Sequence, residues 1–450
     1  MKDLTQGSIP RHLIELASFI AVSMVVQTLY FLVDLYFVSS LGGPAIAGVG
    51  LAGNLMMVIL ALTQMLGVGT TSLIAQAAGR RDPSDAQSVF DQSCLLSVLL
   101  GFAFLLCGLL FQDAYCRWLS ADAATLAAAK GYLKYLVPAF ALQFALVSMS
   151  SALRATGVVK PTMVVQVLTV AINAILAPVL IVGWGTGLAM GTEGAGLATL
   201  IALIAGVAAL SIYFIKHATF VRFSKAAFTA RIEIWKRLIA IGLPSGGEFL
   251  IMAIYSAFVY SIIRDQGADA QAGFGVGVRL MQSLFLPVMA VSFAASPLAA
   301  QNFGAMKADR VRQTFRSAAI MAAGLMSVMT ILCHLSPESM VKFFTSDPPV
   351  ITYATDYLRI LSWGFVAFGL TFTSSAMFQA IGNAWPALLS SVLRLLIFVF
   401  PALWLSHRTG FVLTHLWYLA VSAGTAQCLF SLALLRREFA RRLDFQNPIR

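Results

Sequence analysis

Apolar residues run along this chain in long blocks. A helix needs about 20 residues to cross a bilayer, and twelve blocks are long enough. They fall at 13–39, 46–74, 92–111, 130–153, 161–182, 194–215, 237–262, 271–298, 316–335, 353–378, 386–405 and 411–435. Short polar loops with Gly and Pro separate them, as in Gly42-Gly-Pro44, Gly79-Arg-Arg-Asp-Pro83 and Gly304-Ala-Met-Lys307. The longest linker joins blocks six and seven and is basic. We therefore read residues 1–215 and 237–450 as two six-helix bundles and residues 216–236 as the linker between them. The fold class expected is an all-α polytopic membrane protein of twelve transmembrane helices.

The blocks repeat. Ile9-x-x-x-Leu13-Ile14 matches Ile234-x-x-x-Leu238-Ile239, and Ala75-Gln76-x-x-Gly79 matches Ala300-Gln301-x-x-Gly304. Ser150-x-x-x-x-Ala155-x-Gly157-x-x-x-Pro161 matches Ser375-x-x-x-x-Ala380-x-Gly382-x-x-x-Pro386. Each pair differs by 225 (234 − 9, 301 − 76, 382 − 157), half of the 450 residues. An even number of spans per half makes both halves enter the membrane from the same side. A pseudo-twofold along the membrane normal then relates them, with a substrate route between them, as in transporters built from parallel repeats.

Composition agrees. The chain is 59% hydrophobic and 11% charged, where a soluble domain carries about 25% charged residues; mean hydropathy is +0.85. The net charge of +11 reads as topology, not as nucleic-acid binding, because no basic run is interleaved with stacking aromatics. One set of loops and tails holds 21 Lys and Arg, the opposite set 6. The positive-inside rule then puts both termini and the linker in the cytoplasm. Met1 to Arg11 is short and polar, so no cleavable signal is expected there and the first span is expected to serve as the targeting signal. Cys94, Cys107, Cys116, Cys333 and Cys428 are odd in number and scattered, which excludes a disulfide framework or a clustered metal site. No catalytic motif or phosphate-binding loop is present, so an enzyme and direct use of ATP are not expected. No cofactor and no nucleic-acid partner are expected either. The partners are a small-molecule substrate and the lipid bilayer, with the chain acting as a monomer.

Candidate chemistry begins in the first block. Ser23, Gln27, Tyr30 and Asp34 are spaced by 4, 3 and 4 and share one helical face. A charged side chain at mid-membrane costs about 2.5–3.5 kcal/mol and is functional by default. Asp34 is thus the candidate cation-coupling residue; a carboxylate satisfied by a nearby Arg or by water is the alternative. In block five Gln166, Thr169 and Asn173 share a face, by spacings of 3 and 4. Ordinary interhelical hydrogen bonding explains such a face equally well. Glu248 either binds cation or substrate or pairs with a Lys or Arg near the cytoplasmic start of block seven. Arg279 and Arg359 read as structural, and the role of Arg394 stays open.

Several of these motifs resemble the multidrug and toxic compound extrusion (MATE) family, in the prokaryotic branch with the DNA-damage-inducible members. They are Asp34 in Val-Asp-Leu-Tyr-Phe-Val, Ala75-Gln76-x-x-Gly79, Ser151-Ala-Leu-Arg154-Ala-x-Gly157 with Pro161, and Gly194-Ala-Gly-Leu-Ala-Thr199. In the second half they are Gly242-Leu-Pro244-x-x-x-Glu248, Arg279 in Gly-Val-Arg-Leu, Ala300-Gln301-Asn302-x-Gly304-Ala305 and Ala380-x-Gly382-Asn-x-x-Pro386. The resemblance implies an antiporter that exports cationic or amphipathic compounds against H⁺ or Na⁺. It places Asp34, Tyr132, Asn173 and Thr199 at the cation-coupling site, and Asp34, Gln27, Tyr30 and Glu248 at the substrate site. Tyr132 also fits an interfacial anchor, and Thr199 a small packing residue. One departure stands out: the family pattern expects a carboxylate four residues after Asn173, where this chain has Ala177. A lone buried carboxylate suits a proton, since protonation makes it neutral, whereas Na⁺ wants several oxygen ligands. H⁺ is therefore expected over Na⁺. A lipid-linked oligosaccharide flippase or an exporter of an endogenous metabolite is the alternative on the same fold.

Overall fold

The computed structural model describes residues 1–445 apart from 121, 188, 218, 219, 225–228 and 409, and omits the side chains of 30–32, 34, 35 and 54. Its helices are α1 (Ile9–Ser39), α2 (Gly43–Gly79), α3 (Pro83–Leu119), α4 (Ala123–Ala155), α5 (Lys160–Ala177), α6 (Thr192–His217), α7 (Ile232–Ile263), α8 (Ala268–Gly304), α9 (Ala308–Leu335), α10 (Pro337–Lys342), α11 (Pro348–Leu361), α12 (Phe365–Ala380), α13 (Trp385–Ser406) and α14 (Leu413–Arg442). Among the described residues there is no strand, and twelve helical segments are long and apolar enough to cross a membrane. α11 and α12 together form one of them, Pro348–Ala380.

All twelve expected blocks overlap these helices, and most of the helices outrun them. α3 starts at Pro83, nine residues before its apolar block (92 − 83 = 9). Its polar first turns hold because Asp82 caps them, accepting from the backbone N–H of Ser84 at 3.1 Å and of Asp85 at 3.0 Å. Backbone hydrogen bonding needs a cap, not an apolar sequence.

The repeat is written into the backbone as well. Left-handed φ values recur at the same offset: Gly42 and Gly267 (95° and 100°), Arg81 and Met306 (57° and 55°), Gly157 and Gly382 (72° and 79°), Gly185 and Gly410 (75° and 88°). Arg81 and Met306 adopt a region that L residues visit at a cost. Two halves keeping that cost at the same turn share a chain path there, not merely a motif.

Tertiary contacts divide the chain into two compact units, Met1–Asp3 with Val22–Gly246, and Leu4–Ala21 with Gly247–Arg450. In the first unit α4 packs on α2, α3 and α6. Small residues let the backbones close up: a Cβ at Gly101 would stand 2.6 Å from the Ala141 carbonyl oxygen, and one at Gly196 2.5 Å from that of Tyr132. The strand of chain entering α7 is tied down to α3. Arg237 pairs with Asp85 through two bonds of 2.9 and 3.2 Å, and the Gln92 side chain bonds the backbone at Thr229 and Arg231. In the second unit α8 packs on α9, α11 and α12, while α14 packs on α11, α12 and α13. The rings of Phe274, Tyr357 and Trp417 lie 4.8–5.6 Å apart and fill its core. The segment before α1 is bound to the α8–α9 turn: Gln301 accepts the Leu4 N–H at 3.0 Å, and Lys307 donates to the Thr5 carbonyl at 2.8 Å.

Candidate functional site

The second unit contains a cavity of ≈ 110 Å³ between α7, α12, α13 and α14. Glu248, Met252 and Tyr255 reach it from α7, Phe368, Thr371, Phe372 and Ser375 from α12, Ser391 and Arg394 from α13, and Gln427 from α14. α7 begins at Ile232, so Glu248 lies 16 residues in (248 − 232), at mid-helix and not near the start. The two carboxylate oxygens accept from the Ser375 hydroxyl at 3.0 and 2.9 Å. Gln379 donates in turn to Ser375 Oγ at 3.3 Å. No Lys or Arg pairs with Glu248 among the described residues, so of its two expected roles the gate-holding ion pair is not the arrangement found.

Arg394 lies beside Tyr255. Its guanidinium lies 4.7 Å from the Tyr255 ring centre and 5.2 Å from that of Phe368, two contacts that each stabilise a desolvated cation by up to about 2 kcal/mol. Gly424 makes room for this. A Cβ there would overlap the Phe368 ring, so only glycine on α14 lets Phe368 lie against Arg394. Gln427, one turn further along α14, donates to Ser391 Oγ at 3.2 Å and closes the polar end. The other two intramembrane arginines, Arg279 and Arg359, are exposed.

In the first unit Tyr132, Thr169, Asn173 and Thr199 are all buried. Gly196 abuts the Tyr132 backbone and Gly206 abuts Thr169, so α6 joins α4 to α5 and Thr199 lies on the α6 stretch between those contacts. Thr199 Oγ1 donates to the Ala195 carbonyl at 3.1 Å. Asn173 is fully buried, yet neither Nδ2 nor Oδ1 has a partner among the described residues. Leaving such a group unpaired costs about 1–3 kcal/mol, so Asn173 offers both a donor and an acceptor to its surroundings. Ala177, where the family pattern expects a carboxylate, is buried. A π-helical turn, Pro178–Val182, follows it, the kind of irregular turn that concentrates at functional sites. Gln27 is exposed on α1. Asp34 and Tyr30 lie outside the described residues as far as their side chains are concerned.

Thus one of the four expected substrate residues, Glu248, lines a described cavity. Sequence reasoning left Arg394 unassigned, although the repeat pointed to it. Subtracting 225 carries Arg394 onto Thr169, inside the polar face of Gln166, Thr169 and Asn173.

The family model MatE matches residues 20–179 and 244–405, one segment in each half. The chain is 26% identical over 381 residues to the probable multidrug resistance protein YoeA of Bacillus subtilis, covering 84% of this chain and 82% of that protein. It is 25% identical over 405 residues to the multidrug export protein MepA of Staphylococcus aureus, covering 89% and 88%. Among solved structures it resembles a MOP superfamily transporter from Pyrococcus furiosus, described for the reverse polarity of its binding pocket. It also resembles an outward-facing multidrug resistance MATE family transporter. Both superpose with a TM-score of 0.91 at 26% identity, over 98% of each chain. With matched segments in both halves, the chain belongs to the MatE family of membrane transporters.

Proposed function

We propose that this protein exports cationic and amphipathic compounds by alternating access, as a monomer, in exchange for protons. The observation that carries the proposal is the second-half cavity: a carboxylate in mid-span, held by one hydroxyl and walled by Tyr255, Phe368, Phe372 and Met252. Aromatic rings and an adaptable thioether accept varied apolar shapes, and Glu248 supplies the charge for a cationic group. The multidrug names of the relatives support the compound class. Both termini face the cytoplasm, by the placement of Lys and Arg.

Asp34 is assigned the proton exchange, with Asn173, Tyr132 and Thr199 as its polar neighbours. Facing the outside, it takes up a proton and becomes neutral, and this uptake sets the direction in which the compound moves. The compound leaves and the carrier returns. With Ala177 in place of the expected second carboxylate, H⁺ fits better than Na⁺. Charge balance sets the driving force. One proton exchanged for one monovalent cation moves no net charge and draws only on ΔpH, about 1.4 kcal/mol per pH unit. If Glu248 also exchanges a proton, two protons move per cation. The membrane potential then adds about 2.3 kcal/mol per 100 mV.

Ethidium efflux from everted vesicles or proteoliposomes tests this. A pH gradient should drive efflux by the wild-type protein, and a Na⁺ gradient of the same size should not. Proton-driven efflux at the wild-type rate in Asp34→Asn overturns the coupling assignment.

A further inference from the structure

We propose that the second unit carries a docking site for an anionic phospholipid where α9 begins and α14 finishes. Arg312, Arg316, Arg436, Arg437 and Arg441 hold its phosphates.

Three observations carry it. First, positive charge is concentrated there and largely unanswered. Phe315 of α9 meets Phe439 of α14 with ring centres 6.0 Å apart. The five arginines lie within three residues of that contact along their own helices (315 − 312, 316 − 315, 439 − 436, 439 − 437, 441 − 439). At 1.5 Å per residue that is about 4.5 Å of axial travel. All five are exposed. Arg312 pairs with the exposed Asp309 at 3.2 Å, and the other four form no ion pair among the described residues. Glu438, the acid beside them, is engaged by Arg442 at 2.9 Å and by Asn383 at 3.1 Å.

Second, the first unit shows what the same place does with other chemistry. Subtracting 225 carries Phe315 and Phe439 onto Phe90 and Phe214, and Arg312 and Arg316 onto Gln87 and Asp91. Phe90 and Phe214 stack at 5.0 Å, and Phe223 of the linker lies 5.8 and 5.5 Å from them. Gln87 bonds the carbonyl and the N–H of Arg222, and Asp91 accepts from the Ser224 hydroxyl at 3.0 Å. That surface offers acceptors, as a peptide segment requires. Guanidinium groups only donate, so the second-unit surface is built for a partner made of acceptors. Topology asks only for basic residues somewhere on this side of the membrane. It does not explain why one half has Asp91 where the other has Arg316.

Third, the charges cap apolar stripes. On α9, Ile320, Val328, Ile331 and Leu335 are exposed in line with Arg316, at helical spacings of 4, 8, 3 and 4. On α14, exposed Leu429 lies two turns from Arg436 (436 − 429 = 7). Cations above an apolar track match a headgroup above acyl chains. Basic clusters beside span ends hold anionic headgroups, and guanidinium forks meet phosphate oxygens in pairs.

Native mass spectrometry of the delipidated full-length protein tests this, with cardiolipin and phosphatidylethanolamine of matched acyl chains as probes. Wild type should hold cardiolipin about tenfold more tightly. The double variant Arg312→Gln, Arg316→Gln should bring the two affinities within about twofold. Lys216→Gln with Lys236→Gln removes the same charge from exposed sites of the first unit and should leave the preference intact. Glycerol 3-phosphate, which lacks acyl chains, should not compete at the cardiolipin concentration. Equal binding of both lipids by wild type overturns the proposal. So does a preference that survives Arg312→Gln, Arg316→Gln, or one lost equally in the lysine variant, since net charge alone would then be at work. Full competition by glycerol 3-phosphate would make the site one for a free phosphate and overturn the lipid assignment. A preference seen only in a chain ending at Phe445 would make the tail of residues 446–450 the occupant, and overturns it too.

Discussion

Val259 stands in the second half where Asp34 stands in the first, Phe398 where Asn173 stands, and Gly424 where Thr199 stands, each at an offset of 225 residues. Val259 and Phe398 are buried. Three of the four positions assigned to cation coupling in one half are thus packed apolar core, or space for a ring, in the other. The converse also holds. Glu248 and Arg394 correspond to Ser23 and Thr169. Two tyrosines are kept, Tyr30 as Tyr255 and Tyr132 as Tyr357. Along α7, Glu248 lies 11 residues before Val259, which at 1.5 Å per residue is about 16 Å. The second half has its carboxylate at another position along the repeat. A duplicated scaffold keeps its turns and two of its aromatic hydroxyls, and moves the charge. The outer turns repeat the lesson: Asp82 and Asp85 after α2 become Lys307 and Arg310 after α8. The acidic turn binds Arg237, and the basic turn binds the carbonyls of Leu4, Thr5 and Gly7.

The comparison breaks most sharply at Asp34. Asp34→Asn should abolish pH-driven efflux, a loss of at least tenfold in initial rate in proteoliposomes. Efflux within twofold of wild type would show that the halves do not divide the work this way. Next is Glu248→Gln, which removes the only carboxylate lining the described cavity. The dissociation constant for tetraphenylphosphonium should rise about tenfold, equivalent to about 1.4 kcal/mol, read by equilibrium binding to the purified protein.

Gly424→Ala should push Phe368 off Arg394. Overpacking of this kind costs about 1–3 kcal/mol, visible as a lower melting temperature in detergent, whereas its counterpart Thr199→Ala should cost less. The smallest effect is at the rim. Asp85→Asn removes the pair with Arg237, both partly exposed, and such pairs contribute about 0–1 kcal/mol. A shift in melting temperature no larger than that of Gly424→Ala is expected.

How much of this was legible in the chain depends on the range of the signal. Spans were legible because lipid reads hydropathy within one helix. The repeat was legible because its motifs keep one offset. The polar first turns of α3 were not, since their stability comes from the Asp82 cap and not from an apolar face. The second-half cavity was legible only at Glu248. Ser375, 127 residues away, Arg394 and Gln427 join it through packing of four helices, which no local spacing records. Arg394 sits in an apolar block, and its contacts with Tyr255 and Phe368 become visible only in the packed helices. Asn173 shows the reverse. Its helical face was read from spacing, and its burial with both amide ends unpaired is visible only in the structure.

The division of labour is tested most directly by ethidium counterflow in proteoliposomes without a pH gradient, which reports compound exchange independently of proton coupling. Asp34→Asn should retain counterflow near the wild-type rate while Glu248→Gln loses most of it. Loss in Asp34→Asn with full retention in Glu248→Gln would contradict the account.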